Sequence, residues 1–422
     1  MKKFIIEGGC PLHGTVKIQG SKNATLPILA ATLLTEEPCT LTNVPEISDV
    51  YAFVNILKDL GSQITFQKNK ITILSNQLRS TNISSELVKQ MRASILLLAP
   101  LLVRNQKFIM DFPGGCVLGK RSIHAHTHAL ESLGAKITER ASKLESQVTT
   151  FKGANFTMSE ASVTATENAI MAAVTASGVT EIKWAAMEPH VQDLCHFLAK
   201  MGAKIQGIGS PHLYIEGVKK LKGVSYKITS DYLAAGTLAL ASILTQGEVT
   251  LEDLNPNHLS SFWEKLEEVG VNLKLTKSSA TFFPLPKFDH LQAINHLKTA
   301  VYPGFATDLQ APFAVLLTQA KGESRIFETL FEGRLGYLNE LEKMGAKITI
   351  NNPQQATIFG PTALNATTIT SCDIRAGAAM VLAALIAEGK TEINDIRYID
   401  RGYENLDQTL NHLGAKITRQ EI

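Results

Sequence analysis

The chain of 422 residues has almost no net charge: 41 lysines and arginines against 39 aspartates and glutamates leave +2, with the basic residues scattered. That excludes the basic stripe on which non-specific nucleic-acid binding depends. Long apolar runs are also missing. The longest, such as ILLLAPLLV at 95–103, reaches half of what a membrane span requires. The opening MKKFIIEGG holds only three consecutive apolar residues, too few for a signal peptide. Cysteine is sparse and odd in number (10, 39, 116, 195 and 372), with no CxxC pair. This argues against a disulfide framework or a zinc site and for reduced thiols in a cytoplasm. No P-loop occurs, and no GxGxxG follows a strand and opens a helix.

What is present is an ordinary soluble composition, 45% hydrophobic and 19% charged, in a chain too long for one core. Two or three domains are therefore expected. The strongest signal is internal repetition. GAKI occurs at Gly134, Gly202, Gly345 and Gly414, and weaker versions, GSQI at Gly61 and GVNL at Gly270, complete six copies at intervals of 68 to 75 residues. Each copy ends an amphipathic pattern, as in LNELEKMGAKITI, where Leu338, Leu341 and Met344 fall at helical spacing. A helix, a glycine stop and a strand follow from that pattern.

A second element recurs with the same period: a helix rich in Ala and Leu and almost free of charge. Its copies span 22–34, 92–103, 167–178, 233–245, 308–320 and 375–389. A helix apolar on every side must be buried on every side. The unit is thus a buried helix, strand, loop, exposed helix and further strands, in an α/β (α+β) fold. The last unit, from Asp373, has only 50 residues, so the N-terminal strands are expected to finish it. Three units in each of two lobes follow, with residues 22–229 as one lobe and 1–21 plus 230–422 as the other.

If the interiors are generic, function should lie where the repeats differ. The starts of the buried helices carry Ser21-Lys22-Asn23, Met91-Arg92, Thr307-Asp308 and Asp373-Ile374-Arg375; loops carry Cys116 with Arg121, Glu332 with Arg334, and Asp400-Arg401. Helix N-termini offer free N–H groups and a partial positive charge. With Lys22, Arg92, Arg121, Arg334, Arg375 and Arg401 added, they suit a small, multiply charged anion bearing phosphate and carboxylate, since guanidinium forks bind both bidentately. In that field Cys116 would be unusually reactive as a thiolate. Asp308 and Asp373 each suit two roles, helix N-cap or general base. HAHTH at 124–128 looks metal-binding, but only His124 and His128 share a helix face and no acidic partner lies nearby.

The segments GSKNATLPIL (20–29), PGGCVLGKR (113–121), YPGFATDLQ (302–310), ETLFEGR (328–334), CDIRAGAAMVLAALIAEG (372–389) and YIDRGYENL (398–406) resemble the enolpyruvyl transferases over the whole chain. Within that family they are similar to the branch that uses UDP-N-acetylglucosamine as acceptor. The resemblance implies a two-lobed fold of six repeats, an inside-out α/β barrel. It implies transfer of the enolpyruvyl group of phosphoenolpyruvate to the 3′-hydroxyl of UDP-N-acetylglucosamine, with release of phosphate through a tetrahedral intermediate. That is the first committed step of peptidoglycan synthesis. By position, Cys116 would protonate the methylene carbon and Asp308 would take the hydroxyl proton, with Asp373 assisting. Lys22, Arg121 and Arg401, with Arg92 nearby, would hold the phosphate, and Arg334 and Arg375 the carboxylate. Asn23, Ser162, Val163, Thr164 and Leu330 would meet the nucleotide sugar, together with Arg92 and Arg121. No metal or organic cofactor, nucleic acid or membrane is implied; the partners are the two substrates, in a monomer or weak homo-oligomer.

Departures from the family pattern fall mostly on the acceptor side. A lysine is usual at Glu160, a glycine at Thr164, an aspartate at His124, an arginine at Met187 and an acidic residue at Ala234. These leave open another uridine nucleotide as acceptor. The branch acting on 3-phosphoshikimate is disfavoured, because it has serine in place of Asn23 and lacks the PGGC loop. A non-catalytic descendant would be expected to lose Cys116, Asp308 or Asp373, and all three are present.

Overall fold

The computed structural model describes residues 2–78, 85–114, 122–140, 142–285 and 291–421. Six apolar helical segments form as the repeats require: Lys22–Ala31 with a 3₁₀ turn Thr32–Leu34, Arg92–Leu97 running into Leu98–Asn105, Val163–Ala173, Tyr232–Leu244, Thr307–Leu317 and Ile374–Ile386. Tyr232–Leu244 is buried at every position. The amphipathic helices are Ser48–Asp59, His124–Ser132, Pro189–Lys200, Ser260–Val269, Leu338–Lys343 and Leu406–His412. Each is stopped by the glycine of its GAKI-type motif, and all six glycines have φ between 95° and 112°. Only a residue without Cβ adopts that conformation freely, so the repeated glycine is a repeated stop signal.

The second apolar segment differs from the expected single helix. It begins as a 3₁₀ helix, Arg92–Leu97, and becomes α-helical only at Leu98. The side chain of Asn168 explains the break. Its amide accepts from the Ala99 N–H at 3.1 Å and donates to the Ile95 carbonyl at 3.0 Å, the two groups that would bond each other in a continuous α-helix. Pro100, one residue on, has no N–H to give the preceding turn.

Among the described residues there are six sheets, five of four strands and one of three. In three repeats the short strand before the buried helix runs parallel to the strand after it: Asn155–Thr157 with Val179–Lys183, Leu297–Lys298 with Gly322–Phe327, and Thr368–Thr370 with Lys390–Asn394. The first and fourth repeats exchange this strand. His13–Lys17, which precedes the first buried helix, pairs with Glu248–Glu252, and Ser225–Lys227, which precedes the fourth, pairs with Cys39–Thr42. Lys2–Glu7 lies antiparallel between Lys390–Asn394 and Lys416–Glu421 and so completes the sixth repeat. The expectation that both N-terminal strands finish that repeat is therefore corrected: the second belongs to the fourth.

The chain divides into two compact units. One holds the described residues up to Gln19 together with those from Ser230 onward; the other holds those between Gly20 and Thr229. Each has its own apolar core. In the first unit the helices Tyr232–Leu244 and Thr307–Leu317 meet where a Cβ on Gly236 would fall 2.7 Å from Leu309, so glycine sets their close approach beside Asp308. The described cysteines, Cys10, Cys39, Cys195 and Cys372, are unbridged. No helix among the described residues is long and apolar enough to cross a membrane.

One polar group sits deep in the second unit. Glu167, in the helix Val163–Ala173, is 1% exposed and its Oε1 has no hydrogen-bond partner. Burial first, and the charge of Glu188 second, push its carboxyl well above the ordinary value of 4.5. The folded state therefore keeps a proton that the unfolded chain releases once pH exceeds 4.5, and stability falls by up to about 1.4 kcal/mol per pH unit until the folded value is reached. Glu167→Gln should thus be more stable than the parent at pH 7, by about 1–3 kcal/mol, with the gain vanishing near pH 4. Urea unfolding at the two pH values measures both.

Candidate active site

In the first unit two of the cations singled out from sequence, Arg334 and Arg375, meet at Asp308. This residue is second in the helix Thr307–Leu317, whose N-cap is Ala306. The N-cap reading is therefore wrong for Asp308. Its carboxylate instead accepts from Arg334 Nη2 at 2.5 Å and from Arg375 Nε at 3.1 Å. The two guanidinium residues are 6% and 4% exposed, and the carboxylate side chain is 26% exposed. Burial alone would raise the Asp308 pKa, but the two cations prevail and hold it well below the usual carboxylate range. Asp308 is fully ionised here and weakly basic.

Each guanidinium is held by a directed chain of hydrogen bonds. Arg334 Nη1 donates to Thr307 Oγ1 at 2.9 Å, and that hydroxyl donates to Glu328 Oε2 at 2.7 Å. Arg375 Nη1 donates to Tyr403 Oη at 3.1 Å. Tyr403 Oη lies 2.9 Å from Thr237 Oγ1, which donates to the Leu233 carbonyl at 3.0 Å. The phenol must therefore donate to the threonine. Burial pushes the Tyr403 pKa up, so it stays a neutral donor; burial disfavours the Arg375 charge, but the charges of Asp308 and Asp231 and the hydrogen bond to Tyr403 outweigh it. Asp373 is an N-cap: its Oδ1 accepts from the Arg375 N–H at 2.7 Å and the Ala376 N–H at 2.9 Å. Arg401 ends the 3₁₀ helix Ile396–Arg401, two residues before Tyr403. Behind it, the Gln19 side chain accepts from Glu404 N at 2.8 Å and donates to the Gly402 carbonyl at 3.2 Å. Leu330 is 38% exposed on the loop that leads to Arg334.

In the second unit Lys22 opens the helix Lys22–Ala31, capped by Ser21, and its ammonium lies 2.7 Å from Asp49 Oδ2. Both residues are under 9% exposed. Asn23 is the next residue of that helix, half-buried. Arg92 begins the 3₁₀ segment and donates to the Ser122 carbonyl at 3.1 Å. Ser162, Val163 and Thr164 form the start of the helix Val163–Ala173. Thr164 Oγ1 lies 3.2 Å from His126 Nε2, and His126 Nδ1 accepts from Asn168 Nδ2 at 2.9 Å. The imidazole thus carries its proton on Nε2. Burial, then the Arg92 charge, lowers its pKa to about 3, so it stays neutral. The middle histidine of HAHTH is a structural strut. His124 and His128 place their rings 6.0 Å apart, and no group of three metal-binding side chains occurs among the described residues. Cys116 and Arg121 lie outside the described residues. Of the departures, Glu160 and His124 are exposed and Met187 is half-buried. Ala234 is 2% exposed, with its N–H capped by Asp231.

These pairings set carboxylates against the cations singled out from sequence. Arg334 and Arg375 are met by Asp308, and Lys22 by Asp49. Sequence reading missed Asp49, Glu328 and Tyr403. Tyr403 and Glu328 lay inside segments already singled out, whereas nothing local marks Asp49 as the partner of a lysine 27 residues away.

The family model of EPSP synthase (3-phosphoshikimate 1-carboxyvinyltransferase) matches residues 6–410. Among curated proteins, the UDP-N-acetylglucosamine 1-carboxyvinyltransferase of Methylacidiphilum infernorum is 42% identical, with 99% of each chain covered. That of Coxiella burnetii is also 42% identical, covering 99% of this chain and 96% of its own. Among solved structures, the enolpyruvyl transferase NikO from Streptomyces tendae superposes with a TM-score of 0.90 at 22% identity, covering 99% of both chains. EPSP synthase from Acinetobacter baumannii gives 0.75 at 18%, with both chains fully covered. The fold of the present chain is theirs.

The Lys22–Asp49 pair is buried, so removing one partner takes from the other a charge that offsets its burial. Asp49→Ala should cost about 3–5 kcal/mol in urea unfolding, and adding Lys22→Met should restore part of that loss.

Proposed function

The chain belongs to the EPSP synthase family of enolpyruvyl transferases, and we propose that it transfers the enolpyruvyl group of phosphoenolpyruvate to the 3′-hydroxyl of UDP-N-acetylglucosamine, releasing phosphate. This is the entry step of peptidoglycan synthesis. The full-length relatives at 42% identity carry that activity in their names, which favours this acceptor over 3-phosphoshikimate. The observation that carries the chemical reading is a carboxylate seated between Arg334 and Arg375 at the start of a buried helix.

Phosphoenolpyruvate bears its own carboxylate, and the same two guanidinium groups receive it. Lys22, Arg121 and Arg401, with Arg92, take the phosphate. Asn23, Ser162, Val163, Thr164 and Leu330 meet the nucleotide sugar. In the addition step Asp308 accepts the 3′-hydroxyl proton as the oxygen bonds to the central carbon of phosphoenolpyruvate, and Cys116 delivers a proton to the methylene carbon. A tetrahedral ketal results. In the elimination step the new methyl group returns a proton, the C–O bond to phosphate breaks, and the enol ether forms. The second oxygen of Asp373, which has no hydrogen bond among the described residues, assists proton transfer. The fixed cations stabilise charge as it moves from carboxylate to phosphate without having to reorganise.

Asp308 cannot be both base and partner to two guanidinium groups. When the substrate carboxylate arrives it displaces Asp308, and the loss of those cations raises the aspartate pKa toward what a base needs. Proton abstraction is thereby tied to occupancy of the carboxylate site.

Phosphate release with phosphoenolpyruvate and UDP-N-acetylglucosamine tests the assignment. Release only with another nucleotide, or with 3-phosphoshikimate, would reassign the acceptor. Asp308→Asn should reduce turnover at least ~100-fold yet bind phosphoenolpyruvate about threefold or more tighter by calorimetry, because the internal competitor has lost its charge. Weaker binding by this variant counts against the displacement step.

A further inference from the structure

Glu328 is the least expected charge in the first unit. It is 0% exposed, forms no ion pair among the described residues, and belongs to none of the substrate contacts assigned above. A carboxylate that deep is costly unless its lone pairs are satisfied. Four donors satisfy it. Oε1 accepts from Thr299 Oγ1 at 3.1 Å, Leu330 N at 2.9 Å and Phe331 N at 3.2 Å, and Oε2 accepts from Thr307 Oγ1 at 2.7 Å.

Those donors lead to the site by two routes. Through Thr307, the carboxylate forces the hydroxyl proton inward, since a carboxylate can only accept. The oxygen lone pair must then face Arg334 Nη1, 2.9 Å away. Through the backbone of Leu330 and Phe331, it shapes the loop whose Phe331 ring lies 5.2 Å from the Arg334 guanidinium. Arg334 is therefore held on two sides by groups that both return to one buried carboxylate. An amide in place of that carboxylate would keep size and most contacts, but its NH₂ could face Thr307 and let the hydroxyl turn round.

Building on the enolpyruvyl-transfer reading, we propose that Glu328 is a positioning residue. Its negative charge fixes the direction of the Glu328–Thr307–Arg334 relay and so aims Arg334 at the substrate carboxylate. It touches no substrate itself.

The test compares two titrants by calorimetry: phosphoenolpyruvate, which has a carboxylate, and inorganic phosphate, which has none. Glu328→Gln should weaken phosphoenolpyruvate binding about tenfold, the worth of one charge-assisted hydrogen bond, and leave phosphate binding within twofold. Thr307→Val should do the same, and the double variant should be no worse than either single one. Thr307→Ser, which keeps the hydroxyl, should recover the affinity. Equal weakening for both titrants, parent-like binding by Glu328→Gln, or simple addition in the double variant overturns the proposal. If Glu328→Gln fails to fold, the contrast between Thr307→Val and Thr307→Ser decides it. A parent protein that does not bind phosphoenolpyruvate overturns the functional reading and this proposal with it. Binding without turnover on UDP-N-acetylglucosamine questions only the acceptor.

Discussion

Everything in the first unit's site depends on how positive charge is tolerated when it is buried. Two arginines at helix starts and in a tight loop cannot be desolvated side by side without an anion. Asp308 supplies it. The ion pairs offset the desolvation of both guanidinium groups, and in the proposed reaction the group that neutralises the cations is also the base. The same arrangement recurs in the second unit, where Asp49 answers Lys22. In each unit a buried cation is kept in order by a carboxylate of the chain itself.

Around that constraint the fold supplies geometry. Repetition of one unit places buried helices side by side in each body, and their starts are where variable polar residues can stand without disturbing the core. Hydroxyl and phenol relays then hold the charged groups in single orientations: Thr307 lies between Arg334 and Glu328, and Tyr403 between Arg375 and Thr237. Such chains are directional, since each member must donate to the next. Their ends are groups that can only accept, a carboxylate in one and a backbone carbonyl in the other.

Features set by local sequence were legible before any coordinates. The six glycines have one cause, a left-handed helix stop, and one pattern. The apolar helices were visible because no polar face interrupts them. What escaped reading involves partners far apart in the chain. The 3₁₀ start at Arg92 is imposed by Asn168, 73 residues beyond Ile95. The pairing of His13–Lys17 with the fourth repeat cannot be told from pairing with the sixth by composition. The charged residues of the site could be named, but not which of them neutralise one another: Asp308 looked like a cap, and the cap at the neighbouring helix is Asp373. Cation positions are written in the sequence; their compensation is a tertiary property.

The strand Lys2–Glu7 has a consequence for how the molecule is made. Its neighbours in the sheet arrive at the far end of the chain; Lys3 bonds Glu392, 389 positions later. On the ribosome this strand waits while the whole unit between Gly20 and Thr229 emerges and can complete its own core. Phe4 and Ile6, fully buried in the finished protein, lack these neighbouring strands throughout that interval. Lys2 and Lys3 beside them act as charged gatekeepers against premature strand pairing. The segment of this unit synthesised earliest thus has the sheet neighbours synthesised last, and the inserted unit needs none of them for its own core.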